Sequence, residues 1–302
     1  MPPAIDGTVN PTSSPTVTAT THRRQSRRFL STSASPVTCG TTPIAARAWP
    51  QRPLPHRHHR SGVRVGYGRV RRYPRRVLRA VLFDVDFTLF RPGPELGPEG
   101  YRRVGERHGL DLDPGLYAEA RAAAIEKLQA ERELVHDEEV WIAFTEQIVL
   151  GMGGDPAGAR DCAVDMVREW ERHENFTLYE DALPTLDEVR RHGLLIGLVS
   201  NGQRDLEEFV THHDLDVDTV VGSKSHGRIK PHPSIFAAAL RALGVSPGEA
   251  AMVGDSYEDD IEGARALGMR AILLDRDGFW PDAPDRIDTL LALPAALGLQ
   301  PA

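Results

Sequence analysis

The stretch VLFDVDFTLF, residues 81–90, decides how the chain is read. Val81, Leu82 and Phe83 form a continuous apolar run of the kind that makes a fully buried strand. That run ends in two carboxylates two residues apart, Asp84 and Asp86, followed by Thr88. An aspartate behind a strand is in most proteins a turn former or a helix cap. The competing reading is a site that handles phosphate and metal, and the choice rests on what surrounds it.

Four further runs resemble the first: GLLIGLVSNG (193–202), VDTVVGS (217–223), AAMVGDS (250–256) and RAILLD (270–275). Helical stripes separate them. Leu183, Leu186, Val189 and Arg190 precede the second strand, and Leu206, Phe209 and Val210 follow it. Ile235, Phe236, Ala239, Leu240 and Leu243 form a third stripe, and Ile261, Ala264, Arg265 and Leu267 a fourth. Apolar strands without strict alternation, separated by helices, predict an α/β fold: a Rossmann-like parallel sheet with helices on both faces. Reactive groups in such sheets gather beyond the carboxyl ends of the strands.

The gap between the first two strands is too long for an ordinary crossover. Ala118 to Ala130 is dense in Ala and Glu, Val140, Phe144 and Ile148 recur every four residues, and Ala163, Met166, Val167 and Trp170 form a stripe. GMGGDP (151–156) breaks the helical pattern between the last two. Residues 95–175 are therefore expected to be a helical cap inserted into a core formed by 77–94 and 176–302. Trp141 and Trp170 are read as packing residues of that cap.

Charge divides the chain unevenly. Residues 1–75 carry 13 Arg and one acid, Asp6, whereas the remainder carries 23 basic against 42 acidic residues. The acidic part argues against nucleic acid as the main partner of the core. Residues 1–76, rich in Ser, Thr, Pro and Arg without periodicity, are expected to be a disordered basic leader, with a transit-like segment or a non-native extension as the competing readings. No apolar run of 18 residues exists, which speaks against a membrane-spanning helix. Two cysteines, Cys39 and Cys162, provide no disulfide framework, so a reducing compartment is expected: the cytoplasm, or an organelle if the leader is a targeting segment. Oligomeric state is left open.

Polar groups accumulate where strands end. Asp84 and Asp86 follow the first, Ser200 and Asn201 close the second, and Asp255 and Ser256 close the fourth, with Glu258, Asp259 and Asp260 entering the next helix. Lys230 stands in RIKPHPSIF, before a proline-marked helix start. Each feature alone is weak, but four sets on one sheet edge are hard to assign to turns. Carboxylates meeting in one concavity repel unless a cation joins them, and Mg²⁺ with oxygen ligands suits a phosphate-bearing substrate. Asp84 is then placed for in-line attack, Asp86 for proton transfer, and Lys230 and Ser200 for holding phosphoryl oxygens. No G-x-G-x-x-G follows the first strand, which speaks against a dinucleotide site. YEDD lacks the ligand spacing of a calcium loop. His192, His212, His213, His226 and His232 read as solvated or capping residues.

These residues resemble the haloacid-dehalogenase-like hydrolase superfamily, whose four motifs occur here in order. DVDFT resembles the first and implies Asp84 as nucleophile, Asp86 as acid/base and Thr88 as a phosphate-orienting residue. VSNG resembles the second, with Ser200 on the phosphate and Asn201 beside it. KP resembles the third through Lys230. GDSYEDDIEGA resembles the fourth, with Asp255 as metal ligand and Asp260 supporting the metal shell. The resemblance implies an Mg²⁺ held by the Asp84 carboxylate, the Asp86 backbone carbonyl and Asp255. It also implies a small phosphorylated metabolite as substrate and an aspartyl-phosphate intermediate. Phosphoglucomutase-like transfer, haloacid dehalogenation and a non-enzymatic binding role are the alternatives; the second aspartate and the complete charge set speak against the last two. One position departs from the pattern: Phe87 replaces the usual glycine, and as a bulky residue it is expected to adopt an ordinary backbone conformation and to form part of the pocket wall.

Overall fold

The computed structural model describes residues 77–131 and 133–300. The expected leader lies outside the described residues. Six parallel strands form the main sheet in the order β5-β4-β1-β6-β7-β8, with β1 at Ala80–Phe83, β4 at Leu195–Ser200, β5 at Thr219–Gly222, β6 at Ala250–Gly254, β7 at Arg270–Leu274 and β8 at Arg286–Ile287. All five strand runs read from the sequence are present. The β1 residues Ala80, Val81, Leu82 and Phe83 are each fully buried, which is why no alternation shows in that run.

The two sides of the sheet are covered by separate apolar clusters. Val81, Phe83, Leu198 and Val253 face one, with α5 (Ala182–Arg191) and α6 (Leu206–His212) packed there through Leu186, Val189 and Phe209. Leu82, Val199 and Met252 face the other, covered by Ile235, Phe236, Ala239, Leu240 and Leu243 of α8 (Pro233–Leu243). The short helix α7 (Ser223–His226) follows β5. Leu183 departs from its expected stripe and is 49% exposed; it lies in the first turn of α5, which Leu186 and Val189 anchor.

Between β1 and β4 the chain forms a helical cap region: α1 (Pro98–Arg107), α2 (Tyr117–Glu131), α3 (Glu138–Gly151) and α4 (Pro156–Glu171). Asp137 and Asp155 cap the amino ends of α3 and α4 by accepting from Glu139 N and Ala157 N. The chain enters and leaves this region through an antiparallel pair, β2 (Phe90–Pro92) with β3 (Phe176–Leu178). Three-residue strands carry too little pattern to be seen in sequence, and β2, β3 and the two-residue β8 were not expected from it.

The segment after β6 also differs from expectation. Tyr257–Glu262 is a π-helical turn before α9 (Gly263–Ala266), rather than a continuous α-helix. Here Ile261 N bonds Ser256 O across five residues at 3.3 Å, and Asp260 is turned inward, 1% exposed. Such widened turns recur at functional sites.

Candidate active site

Strand register brings the acidic residues together. Phe83 pairs with Val253, and Asp84 N donates to Val253 O at 2.9 Å, so the first residue past β1 stands beside the end of β6, where Asp255 follows. The π turn then returns Asp260 beneath Gly254. A Cβ on Gly254 would stand 2.1 Å from Asp260 Oδ2, so glycine there is what admits the carboxylate. Oxygens of Asp84, Asp255 and Asp260 all lie within 4.8 Å of one another.

Lys230 closes this cluster. Its ammonium donates to Asp260 Oδ1 at 2.7 Å and also to Asp84, and it is 2% exposed. Burial alone would lower the Lys230 pKa, but the carboxylates of Asp260 and Asp84 outweigh it and hold the group above its ordinary value. Asn201 fixes the loop that carries it: Asn201 Oδ1 accepts from Lys230 N at 2.7 Å and Nδ2 donates to Lys230 O at 3.2 Å. The sequence reading set Asn201 beside the phosphate, next to Ser200; in the structure its amide bonds the Lys230 backbone.

One ammonium does not neutralise three carboxylates. Burial, then the charges of Asp84 and Asp260, raise the Asp255 pKa well above the usual range. Burial pushes Asp260 up to about 7 despite Lys230. Buried carboxylates held this close fit a hard divalent cation with oxygen ligands. The cluster contains the Asp84 and Asp255 side chains expected as ligands, with Asp260 brought into the same group.

The carboxylate of Asp86 faces elsewhere. It is ion-paired to Arg204, with side chains 18% and 4% exposed respectively. Burial raises the Asp86 pKa, with Arg204 acting against it. Arg204 is fixed by two rings, its guanidinium carbon lying 4.0 Å from the Phe176 centroid and 4.4 Å from that of Phe209. Nothing in the sequence singled out Arg204, because its partners come from the loop after β1, from β3 and from α6.

Phe87 corrects the expectation of an ordinary backbone: its φ is 62°, in the left-handed region. The turn itself imposes this conformation, since Phe87 N bonds Phe90 O at 2.6 Å while Leu89 N and Phe90 N both return to Val85 O at 2.9 Å. Such a conformation costs a bulky residue about 1–2 kcal/mol. Its ring is buried, lines the cavity, and lies 5.5 Å from the guanidinium carbon of Arg121 on α2. Burial lowers the Arg121 pKa, opposed by Tyr117, Tyr101 and Asp255. Arg121 joins Lys230 and Arg204 as a third cavity cation, one that an Ala- and Glu-rich helix gave no reason to select.

Thr88 and Ser200 are buried but do not line the cavity. Thr88 Oγ1 donates to Asp255 Oδ1 at 3.2 Å, so in this structure it orients a carboxylate. Asp84, Asp86, Asn201, Lys230, Asp255 and Asp260 all reach the cavity, which measures about 160 Å³ and extends beneath α2, α3 and α4. Trp141 and Trp170 also reach it, while packing edge-on against Phe144 and Phe176.

Comparison with known proteins agrees with this arrangement. Residues 78–268 match the family model of haloacid dehalogenase-like hydrolases. A phosphoserine phosphatase of Thermus thermophilus is 41% identical over 139 residues, 44% of this chain and 53% of that protein, so the match spans about half that relative's length. A glyceraldehyde 3-phosphate phosphatase of Methanopyrus kandleri is 31% identical over 220 residues, covering 70% of this chain and 90% of that one. Among solved structures, an HAD phosphatase of Thermococcus onnurineus superposes with a TM-score of 0.51 at 27% identity, over 73% of this chain and 98% of that one.

Proposed function

The chain belongs to the haloacid dehalogenase-like hydrolase family, and from that premise we propose that it is an Mg²⁺-dependent phosphatase of a small phosphorylated metabolite. The observation that carries this reading is the buried group of Asp84, Asp255 and Asp260, with Lys230 as its fixed counter-charge. The phosphatase names of the Thermus and Methanopyrus relatives support it.

Asp84, Asp255 and Asp260 would hold the cation, with the Asp86 backbone carbonyl as a further ligand. When bound, the cation neutralises the incoming phosphoryl charge and polarises its oxygens. Asp84 attacks phosphorus in line, forming an aspartyl phosphate as the bond to the leaving oxygen breaks. Asp86 donates its proton to that oxygen. Burial favours the neutral acid that this step requires. Asp86, now ionised, takes a proton from the water that attacks the aspartyl phosphate, which releases inorganic phosphate and restores both carboxyl groups. Lys230 holds Asp84 in line, and Arg204 fixes Asp86 until substrate arrives. The cap region walls the cavity and limits water around the reacting groups.

The test is hydrolysis of a panel of phosphomonoesters with Mg²⁺, with chelator, and in Asp84→Asn. Phosphate release that requires the metal and falls at least ~10³-fold in the variant is expected. A folded, Mg²⁺-supplied protein that releases no phosphate from any ester refutes the proposal.

A further inference from the structure

The cavity has two chemically different ends. The carboxylates and Lys230 occupy the sheet end. Beneath the cap helices the wall is mostly apolar, formed by Ile125 and Leu128 of α2, Trp141 and Phe144 of α3, and Val167 and Trp170 of α4, with the Arg121 guanidinium of α2 beside the Phe87 ring as its charged member. Tyr101 of α1, Tyr117 of α2 and Thr145 of α3 also line it. Tyr101 is 1% exposed. Gln129 and Asp137 also border the cavity, but both are exposed to solvent.

Two buried polar atoms of the lining have no hydrogen-bond partner among the described residues, Arg204 Nε and Gln203 Nε2, and the Arg204 guanidinium is already packed on the Phe176 and Phe209 rings. Gln203, on the loop after β4, is 7% exposed. Its Oε1 stands 3.0 Å from His136 Nε2, and His136 Nδ1 stands 3.0 Å from Ser223 Oγ. The cap-region histidine thus grips the acceptor end of the amide and leaves the donor end open, on a residue that lines the cavity.

A short polyol or an amino acid entering this end would surrender water from several polar groups and find few partners, which is costly. An aromatic ring would find faces and edges to pack on. The whole cavity, carboxylate end included, is about 160 Å³, so the space left beside a phosphoryl group limits the leaving group to a compact one.

Resting on the phosphatase reading, we infer that the substrate is a phosphomonoester of a one-ring aromatic or similarly compact apolar alcohol, with one hydrogen-bond acceptor placed for Gln203 Nε2. This departs from the polar leaving groups named for the Thermus and Methanopyrus relatives. The ring packs among Trp141, Phe144 and Trp170, and Gln203 selects the acceptor.

The experiment compares 2-phenylethyl phosphate with glycerol 3-phosphate and phosphoserine on the full chain with Mg²⁺. All three are unactivated alkyl esters, so intrinsic reactivity does not decide the order. A kcat/KM at least tenfold higher for the phenylethyl ester is expected, and Trp141→Ala should reduce that ratio at least threefold. Binding is read separately from chemistry through tryptophan fluorescence and calorimetry. 2-Phenylethylphosphonate is expected to bind at least tenfold tighter than 2-hydroxyethylphosphonate. Equal or better turnover of the two polar esters overturns the substrate class and leaves the phosphatase reading intact. No turnover of any ester refutes that reading, and an absent phosphonate preference then overturns the cavity assignment as well.

Discussion

Arg204 and Asp86 form an ion pair between the loop after β4 and the loop after β1, with the arginine side chain 4% exposed and stacked between Phe176 and Phe209. The pair ties the site to β3, where the chain returns from the cap region. Removing one partner of a buried pair strands the other charge, at about 3–5 kcal/mol. Arg204→Ala is therefore expected to lose stability by that amount in denaturant unfolding. Arg204→Lys should recover only part of it, because an ammonium cannot stack its plane on both rings. Full stability in Arg204→Ala would show that the pair carries no structural weight.

Phe87 sets two effects against each other. Glycine would relieve about 1–2 kcal/mol of left-handed strain, but deleting a buried phenyl ring costs about 3–5 kcal/mol. Since Phe87 is 6% exposed, burial wins. Phe87→Gly is expected to be destabilised by about 2–3 kcal/mol in urea unfolding. An increase in stability would mean that the ring contributes less than the turn costs.

Cation binding should release protons. Without an ion, burial and mutual repulsion raise the pKa values of Asp255 and Asp260, the latter to about 7. An ion needs both ionised, so its affinity rises with pH. Cation-free, these raised pKa values stabilise the fold fully below the unfolded carboxylate value near ~4, and that contribution is lost as pH rises through the folded values. The gain in melting temperature from Mg²⁺ is therefore expected to grow between pH 6 and pH 8. Calorimetry at pH 6.5 in two buffers of different ionisation enthalpy should detect proton release; identical heats would contradict it.

Gly254→Ala tests the space beneath β6. The added methyl would fall 2.1 Å from Asp260 Oδ2 and 2.3 Å from its Cγ, so Asp260 must move and Lys230 loses its 2.7 Å partner position. Overpacking of this kind costs about 1–3 kcal/mol. Unfolding midpoints should fall accordingly, and Mg²⁺ affinity should drop at least tenfold. Unchanged affinity would remove Asp260 from the cation site.

The five long strands of the core, the stripe from Ile235 to Leu243 and the aspartates behind β1 and β6 were legible in the sequence. Burial on both faces writes a continuous apolar run, and a carboxylate at its end is visible in the chain itself. Composition likewise exposed the helical insertion between β1 and β4. Tertiary structure alone decided the left-handed turn at Phe87, the commitment of Asn201 to the Lys230 backbone, and the pairing of Asp86 with Arg204. It also decided the grip of His136 on Gln203 and the mostly apolar wall facing the carboxylates. Each of these depends on groups distant in sequence meeting across a strand register or beneath a cap, and local periodicity records only which face of an element is buried, not what lies against it.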